Sequence, residues 1–251
     1  MIQLLCADSM SVMSFWAKKG RPVFDLIFLD PPYVEEGPDF FSKPDHNMLS
    51  YYAYRLLKSG GVVYLCGMQP QLARDWKYWD RLFDLVFELA VVKDSGTMLA
   101  SHKVPVRRHE NIWCLKRKAD ALSELKVDMR RVAKVIGEEE VRGRAMRVRD
   151  APRGTYKLYE GYPTSVIEVK KIDRHDVEYL GHPAQKPIRL MRFILKVSCE
   201  ENDWVLDPFA GTGTTLAAAA ELGLNCIGIE INAKYVRVSR ERIRGGLVQY
   251  L

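Results

Sequence analysis

Asp207-Pro208-Phe209-Ala210-Gly211-Thr212-Gly213-Thr214-Thr215 lies near the end of a 251-residue chain, directly after the apolar run that ends Trp204–Asp207. An apolar run, a glycine turn and a following helix from Thr214 to Leu222 make a strand–turn–helix unit. In open α/β sheets ligands bind beyond the carboxyl ends of such strands. Gly211 and Gly213 let the backbone turn tightly and approach a ligand with no Cβ in the way. Thr214 and Thr215 open a helix whose first N–H groups favour a carboxylate or phosphate. A dinucleotide fingerprint is disfavoured, because Leu216 replaces the third glycine of G-x-G-x-x-G. No Gly-Lys-Ser/Thr follows, so a P-loop is excluded as well.

Working outward, Asn225–Glu230 predicts the next strand and Ala233–Arg244 the last helix. Glu230 ends that strand, where an acidic side chain can accept both hydroxyls of a ribose. Upstream, Pro187–Cys199 predicts a helix. At the other end of the chain, Phe24-Asp-Leu-Ile-Phe-Leu29 is almost continuously apolar and stops at Asp30-Pro31-Pro32-Tyr33, as expected of a strand covered on both faces. Between them a helix from Asn47 to Lys58 is expected to stop at Ser59-Gly60-Gly61. A strand over Val62–Cys66, a helix over Gln71–Trp79 and strands over Leu85–Val92 and Glu110–Leu115 follow. Strands alternating with helices imply a doubly wound, mostly parallel α/β sheet.

From Lys116 to about Arg174 the pattern degrades, and this stretch is the candidate insertion. Residues 116–157 hold 13 Lys or Arg against 7 Asp or Glu, while the other 209 residues hold 25 of each. The formal charge of +6 therefore comes entirely from one segment, a candidate phosphate-binding surface. Within it, Arg142, Arg144, Arg147 and Arg149 suit phosphate contact or guanine readout. The cysteines at 6, 66, 114, 199 and 226 never form a C-x-x-C pair, so they read as reduced core residues of a cytoplasmic protein, with no metal site. No stretch approaches the roughly 20 apolar residues of a membrane span. Met1–Asp8 is too short and acidic for a signal peptide.

Asp30-Pro-Pro-Tyr33 also has a chemical reading. A carboxylate, a rigid prolyl backbone and an aromatic face together suit a site that holds a flat, amino-bearing ring. Asp30 can accept one N–H and the carbonyl of Pro31 the other; Pro31 and Pro32 keep that backbone rigid. Tyr33 offers an aromatic face on which such a ring can stack.

The 207–215 string resembles motif I of the S-adenosylmethionine-dependent amino-methyltransferases, and Glu230 resembles their motif II acid. His182-Pro-Ala-Gln-Lys-Pro187 resembles their motif X. The order, with the Asp-Pro-Pro-Tyr motif first, then a variable segment, then motifs X and I, resembles the permuted beta class of DNA amino-methyltransferases. The resemblance implies a Rossmann-like fold with a catalytic half over 1–116, a target-recognition insertion over 117–175 and an S-adenosylmethionine-binding half over 176–251. It implies that Asp207, Phe209, Ala210, Gly211, Gly213, Thr214, Thr215 and Glu230 hold the cofactor, with Asp8 near its adenine. His182, Gln185 and Lys186 would line its methionine end. His109-Glu110-Asn-Ile-Trp113 resembles a further family element, beside a loop over Lys93–Arg108 expected to flank the target base; Glu110 reads equally as an ordinary strand-end carboxylate.

The implied activity is site-specific transfer of methyl to adenine N6 of a flipped base in double-stranded DNA. Asp as the first residue of Asp30-Pro-Pro-Tyr33 favours adenine. The alternatives are cytosine N4 and an inactive DNA-binding relative. The expected partners are DNA, a second copy of the chain forming a homodimer, and a cognate restriction endonuclease, with no membrane.

Overall fold

The computed structural model describes residues 1–20, 22–32, 43–94, 103, 105–141, 154–170, 172 and 174–246, with side chains omitted over 135–141, 154–160 and at 246. In chain order the elements are β1 Ile2–Cys6, α1 Ser9–Lys19, β2 Phe24–Leu29, α2 His46–Leu56, β3 Leu57–Gly67, α3 Gln71–Trp79, β4 Phe83–Lys93 and β5 His109–Arg117. There follow β6 Lys134–Val141, β7 Gly154–Glu160, β8 Val166–Val169, α4 Ile188–Ser198, β9 Trp204–Asp207, α5 Thr214–Glu221, β10 Asn225–Glu230 and α6 Ala233–Glu241. Eight strands form one sheet in the order β1-β10-β9-β2-β3-β5-β4-β8. The first five of these run parallel; β5 is antiparallel to both β3 and β4, and β8 pairs parallel with β4. The expected mostly parallel, doubly wound sheet is thus observed.

β2 shows why the sheet is covered on both faces. All six of its residues are buried. Leu26 and Phe28 pack with Leu190, Met191 and Ile194 of α4 and Leu216 of α5. Ile27 and Leu29 point the other way, to Met13 of α1, Leu49 and Ala53 of α2 and Leu72 and Trp79 of α3. The two-residue period of a strand accounts for this division.

The winding direction of the sheet reverses between the parallel neighbours β2 and β9. From β9 the sheet is wound outward to β10, and from β2 outward to β3, so the carboxyl ends of β2 and β9 flank a topological switch point. At the opposite end, the buried Asp25 accepts hydrogen bonds from Lys58 Nζ and Lys126 Nζ, both at 2.8 Å, and from the backbone N–H of Trp204 at 2.9 Å. Lys126 also pairs with Asp203 at 2.6 Å.

Two local expectations shift. α2 ends at Leu56 and β3 begins at Leu57, ahead of the glycines. Gly60 takes φ 73° within the strand, its N–H donating to Asp120 Oδ2 at 3.1 Å, so the Gly-Gly pair forms an irregularity in β3 and does not end the helix. β1 and α1 add a strand and a helix not expected from the sequence; Asp8 caps α1, accepting from the Ser11 N–H at 2.8 Å.

The chain divides into two compact units, Met1–Val127 with Ser165–Leu251, and Asp128–Thr164. Residues 117–127 and β8 belong to the first. The second holds a 3-10 turn at Met129–Val132 and the antiparallel pair β6–β7, in register from Lys134↔Glu160 to Val141↔Gly154.

Burial alone would raise the pKa of Asp25, but its bonds to Lys126, Lys58 and Trp204 hold it below the ordinary value. The stabilisation is therefore complete above about pH 3.9 and is lost as the pH falls below it. Asp25→Asn is expected to cost about 1–3 kcal/mol at pH 7, and urea unfolding should show the difference shrinking toward pH 3.

Candidate active site

A cavity of about 440 Å³ opens at the switch point. Each strand around it delivers a carboxylate at or just past its carboxyl end: Asp8 after β1, Asp30 after β2, Asp207 on β9 and Glu230 on β10. Phe28, Met68, Pro44 and Met10 supply apolar wall, and Pro31 and Pro32 line the rim beside Asp30.

The glycine turn is built tightly. Asp207 Oδ1 accepts the Phe209 N–H at 3.0 Å, folding the chain back over the strand end. Gly213 has φ 77°, and a Cβ there would collide with Ser239 Oγ of α6, so this position requires glycine. Gly213 offers no side chain to cap α5. Thr214 and Thr215, the first residues of that helix, line the cavity. The Gly211 N–H donates to Glu230 Oε2 at 2.9 Å, and the Asn232 N–H donates to Oε1 at 2.7 Å. Glu230 thus braces the glycine turn against the cap of α6. Each oxygen keeps capacity for a second hydrogen bond.

Burial raises the Glu230 pKa, opposed by the N–H groups of Asn232 and Gly211. Burial also pushes the Asp207 carboxyl up to about 7, against hydrogen bonds from Thr215 and Phe209.

The segment before α4 closes the cavity. The His182 ring packs edge-on against Tyr235, with centroids 4.6 Å apart, and its Nδ1 accepts the Ala184 N–H at 3.2 Å. Burial lowers the His182 pKa, Asp30 opposes this and Lys186 adds to it. Gln185 lines the wall, yet its amide braces the segment itself: Oε1 accepts from Leu180 N–H at 2.9 Å, and Nε2 donates to the Glu178 carbonyl at 2.5 Å. Lys186 reaches across to Asp30, Nζ to Oδ2 at 2.6 Å, and lies 3.5 Å from Glu110 Oε2.

The structure therefore gathers Asp8, Asp30, Pro31, Pro32, His182, Gln185, Lys186, Asp207, Phe209, Ala210, Gly211, Thr214, Thr215 and Glu230 around one cavity. Gly213 sits just behind the wall, shaping the turn. Tyr33 and the four arginines at 142, 144, 147 and 149 lie outside the described residues. One residue was not anticipated. Arg242, almost fully buried, donates to Thr214 Oγ1 at 2.8 Å and pairs with Glu178 at 3.4 Å, tying the start of α5 to the segment before α4. In the sequence Arg242 is one of three arginines at 240, 242 and 244, with nothing to mark it as the buried one. Among the described residues no group of His, Cys, Asp and Glu could hold a metal ion.

The residues fit S-adenosylmethionine. Glu230 offers a buried double acceptor for a ribose diol, Gly211 leaves the turn uncovered, and the acidic cavity suits a sulfonium.

The chain is similar to known DNA methyltransferases. Type II methyltransferase M.HpaI of Haemophilus parainfluenzae is 24% identical over 251 residues, spanning 96% of this chain and 74% of its own length. Type II methyltransferase M.HinfI of Haemophilus influenzae is 27% identical over 252 residues, spanning 88% of this chain and 63% of its own length. DNA adenine methyltransferase YhdJ of Escherichia coli (strain K12) is 47% identical over 85 residues, 34% of this chain and 29% of YhdJ. Among solved structures, the M1.HpyAVI complex with SAM superposes with TM-score 0.65 at 22% identity, covering 97% of this chain and 99% of that one. The cytosine-N4-specific PvuII DNA methyltransferase superposes with TM-score 0.68 at 15% identity, covering 99% and 90%; both share the fold. The family model for N6/N4 methyltransferases, described as DNA methylase, matches residues 24–241. With more than half of its residues inside that match, the chain belongs to the N6/N4 DNA methylase family.

Proposed function

We propose that this chain transfers methyl from S-adenosylmethionine to adenine N6 of a base extruded from double-stranded DNA. The observation that carries the reading is the place of Asp30. Its carboxylate stands at the switch point, on the same cavity as Glu230 and the glycine turn. Amine acceptor and cofactor cradle thus share one chamber. Asp30-Pro-Pro favours adenine over cytosine, and the relative YhdJ is named an adenine methyltransferase.

When bound, the cofactor supplies an electrophilic methyl on a positively charged sulfur. The chain's residues do the positioning. Glu230 accepts the ribose hydroxyls while holding Gly211 and Asn232. The first turn of α5 faces the cofactor carboxylate. Asp30 accepts one amine N–H and the Pro31 carbonyl the other, turning the nitrogen lone pair toward the methyl. Tyr33 stacks on the extruded base. Arg142, Arg144, Arg147 and Arg149 contact phosphate or bases from the 117–175 recognition region, between a catalytic half over 1–116 and a cofactor half over 176–251. A recognition region this short suits a short site, or a site completed by a second copy in a homodimer. A cognate restriction endonuclease would be the partner that cuts the same site. The described cysteines are all free, and four are buried, which suits the reducing cytoplasm.

The direct test is incubation with unmodified DNA and S-adenosylmethionine, then nucleoside mass spectrometry. N6-methyladenine is the expected product; N4-methylcytosine overturns the base assignment, and neither product overturns the transfer. Asp30→Ala is expected to slow transfer by about 10²–10³-fold, by analogy with deleting one preorganised hydrogen-bond partner at a reacting group, with cofactor affinity retained in calorimetry. Proportional loss of both would remove Asp30 from the chemistry.

The cofactor should also bind more tightly as the pH rises. Asp207 ionises near pH 7 and adds negative charge to a cavity that takes a cation. Affinity is expected to strengthen between pH 6 and 8 and to respond less in Asp207→Asn. The same slope in both proteins would show that Asp207 does not carry the effect.

A further inference from the structure

The Asp30 carboxylate is one end of a run of charge whose middle pair is buried. Lys186 Nζ stands 2.6 Å from Asp30 Oδ2 and 3.5 Å from Glu110 Oε2. Lys93 Nζ stands 3.3 Å from the same Glu110 oxygen. Asp30, Lys186, Glu110 and Lys93 alternate in sign and sum to zero. They run from the cavity to the end of β4, where the 94–108 loop departs.

The burial of the middle pair makes this more than a surface network. Lys186 is 8% exposed and Glu110 5%. An ammonium at that depth is tolerated only when carboxylates hold it in good geometry. Burial works to lower the Lys186 pKa, but Asp30 and then Glu110 overcome it and raise the pKa well above the ordinary lysine value. Lys186 is therefore a fixed positive charge, not a proton donor in the reaction. Two of its three donors are directed at carboxylates, so its geometry is that of a clamp.

Glu110 is shaped by the same need. It is the second residue of β5 and shares a strand face with Ile112 and Cys114, which lie in the apolar layer beneath α4 and α5. Its Oε1 is buried with no hydrogen-bond partner. Leaving an acceptor unpaired at that depth is costly, and an ordinary strand-end carboxylate would lie in solvent. The placement is explained by the charge it offers to Lys186.

The two carboxylates come from β2 and β5, while the ammonium comes from the segment before α4. An element beside the cofactor turn thus holds the group that receives the amine. We propose that Lys186 and Glu110 are positioning residues for methyl transfer: Glu110 anchors the Lys186 ammonium, which fixes Asp30 in the orientation that accepts the target amine. This rests on the transfer reading of Asp30 given above. It separates Lys186 from the cofactor-holding role that the sequence suggests.

The test compares Lys186→Met, Lys186→Arg and Glu110→Gln with the unaltered protein in single-turnover methylation of DNA, with calorimetry of S-adenosylmethionine binding and thermal melts in parallel. A displacement of about 1 Å at a reacting group costs on the order of 10²-fold. Lys186→Met is therefore expected to lose about 10²-fold in single-turnover rate, by that same displacement argument, while cofactor affinity barely moves. Lys186→Arg, which keeps the charge, should recover part of the rate. Glu110→Gln should fall between Lys186→Met and the unaltered protein.

An unaltered rate in Lys186→Met overturns the proposal, as does a rate loss matched by an equal loss of cofactor affinity. Should Lys186→Met fail to fold, Glu110→Gln decides: a rate equal to that of the unaltered protein overturns the assignment, and a slower rate with intact cofactor binding supports it. If the unaltered protein transfers no methyl to any DNA, the functional reading itself has failed. The unaltered control separates that outcome from failure of the clamp alone.

Discussion

The parallel pairing of β2 with β9, Leu26 against Val205 and Ile27 against Leu206, is the constraint from which the site follows. It sets two strand ends that are distant in sequence side by side, one carrying Asp30 and the other Asp207 and the glycine turn. Because the chain winds away from this pair in opposite directions, no crossover helix covers the gap between them. The cavity is what that topology leaves open. Covering both faces of the sheet with helices keeps β2 fully buried, and the same coverage makes any charged group near its end depend on an internal partner.

Two groups of buried charge mark the two ends of the central strands, and they do different work. At the amino end Asp25 joins β2 to the start of β9 and to the 118–127 segment through Lys58, Lys126 and the Trp204 N–H. At the carboxyl end Lys186 sits between Asp30 and Glu110. Removing one member of a buried pair typically costs about 3–5 kcal/mol because the other is left uncompensated.

Much of this was legible in the sequence because the signals were local. The Phe24–Leu29 run announced a doubly covered strand, α3 fell on Gln71–Trp79, and the glycine turn lies where its string predicts a cofactor loop. The elements that escaped lack such signals. β1 is a five-residue edge strand with mixed burial, and α1 buries only Ser9, Met13 and Ala17 while exposing Phe15. β8 is four residues long inside a charge-rich stretch, and its place beside β4 is a tertiary fact. α2 gives way to strand at Leu57, ahead of the glycines, and the Gly60 N–H is taken up by Asp120, sixty residues on, a partner that no local pattern announces. The roles of Lys186 and Arg242 depend on partners far along the chain, so a motif could place Lys186 near the cofactor but could not show that its ammonium is committed to Asp30.

The strand order also bears on how the molecule is made. β1 and β2 are consecutive in the chain but not neighbours in the sheet, since β10 and β9 lie between them. During synthesis β1 and the β9-facing edge of β2 emerge first and must wait unpaired until residues 204–230 leave the ribosome. Contacts of such long sequence separation slow folding, and unpaired strand edges on a waiting intermediate invite association with other chains. The late arrival of the cofactor turn thus makes the last step of assembly the one that also completes the active chamber. A chain truncated before β9 would keep the pairing of β2 with β3, β5 and β4, but the other edge of β2 would stay open and Asp30 would face no glycine turn.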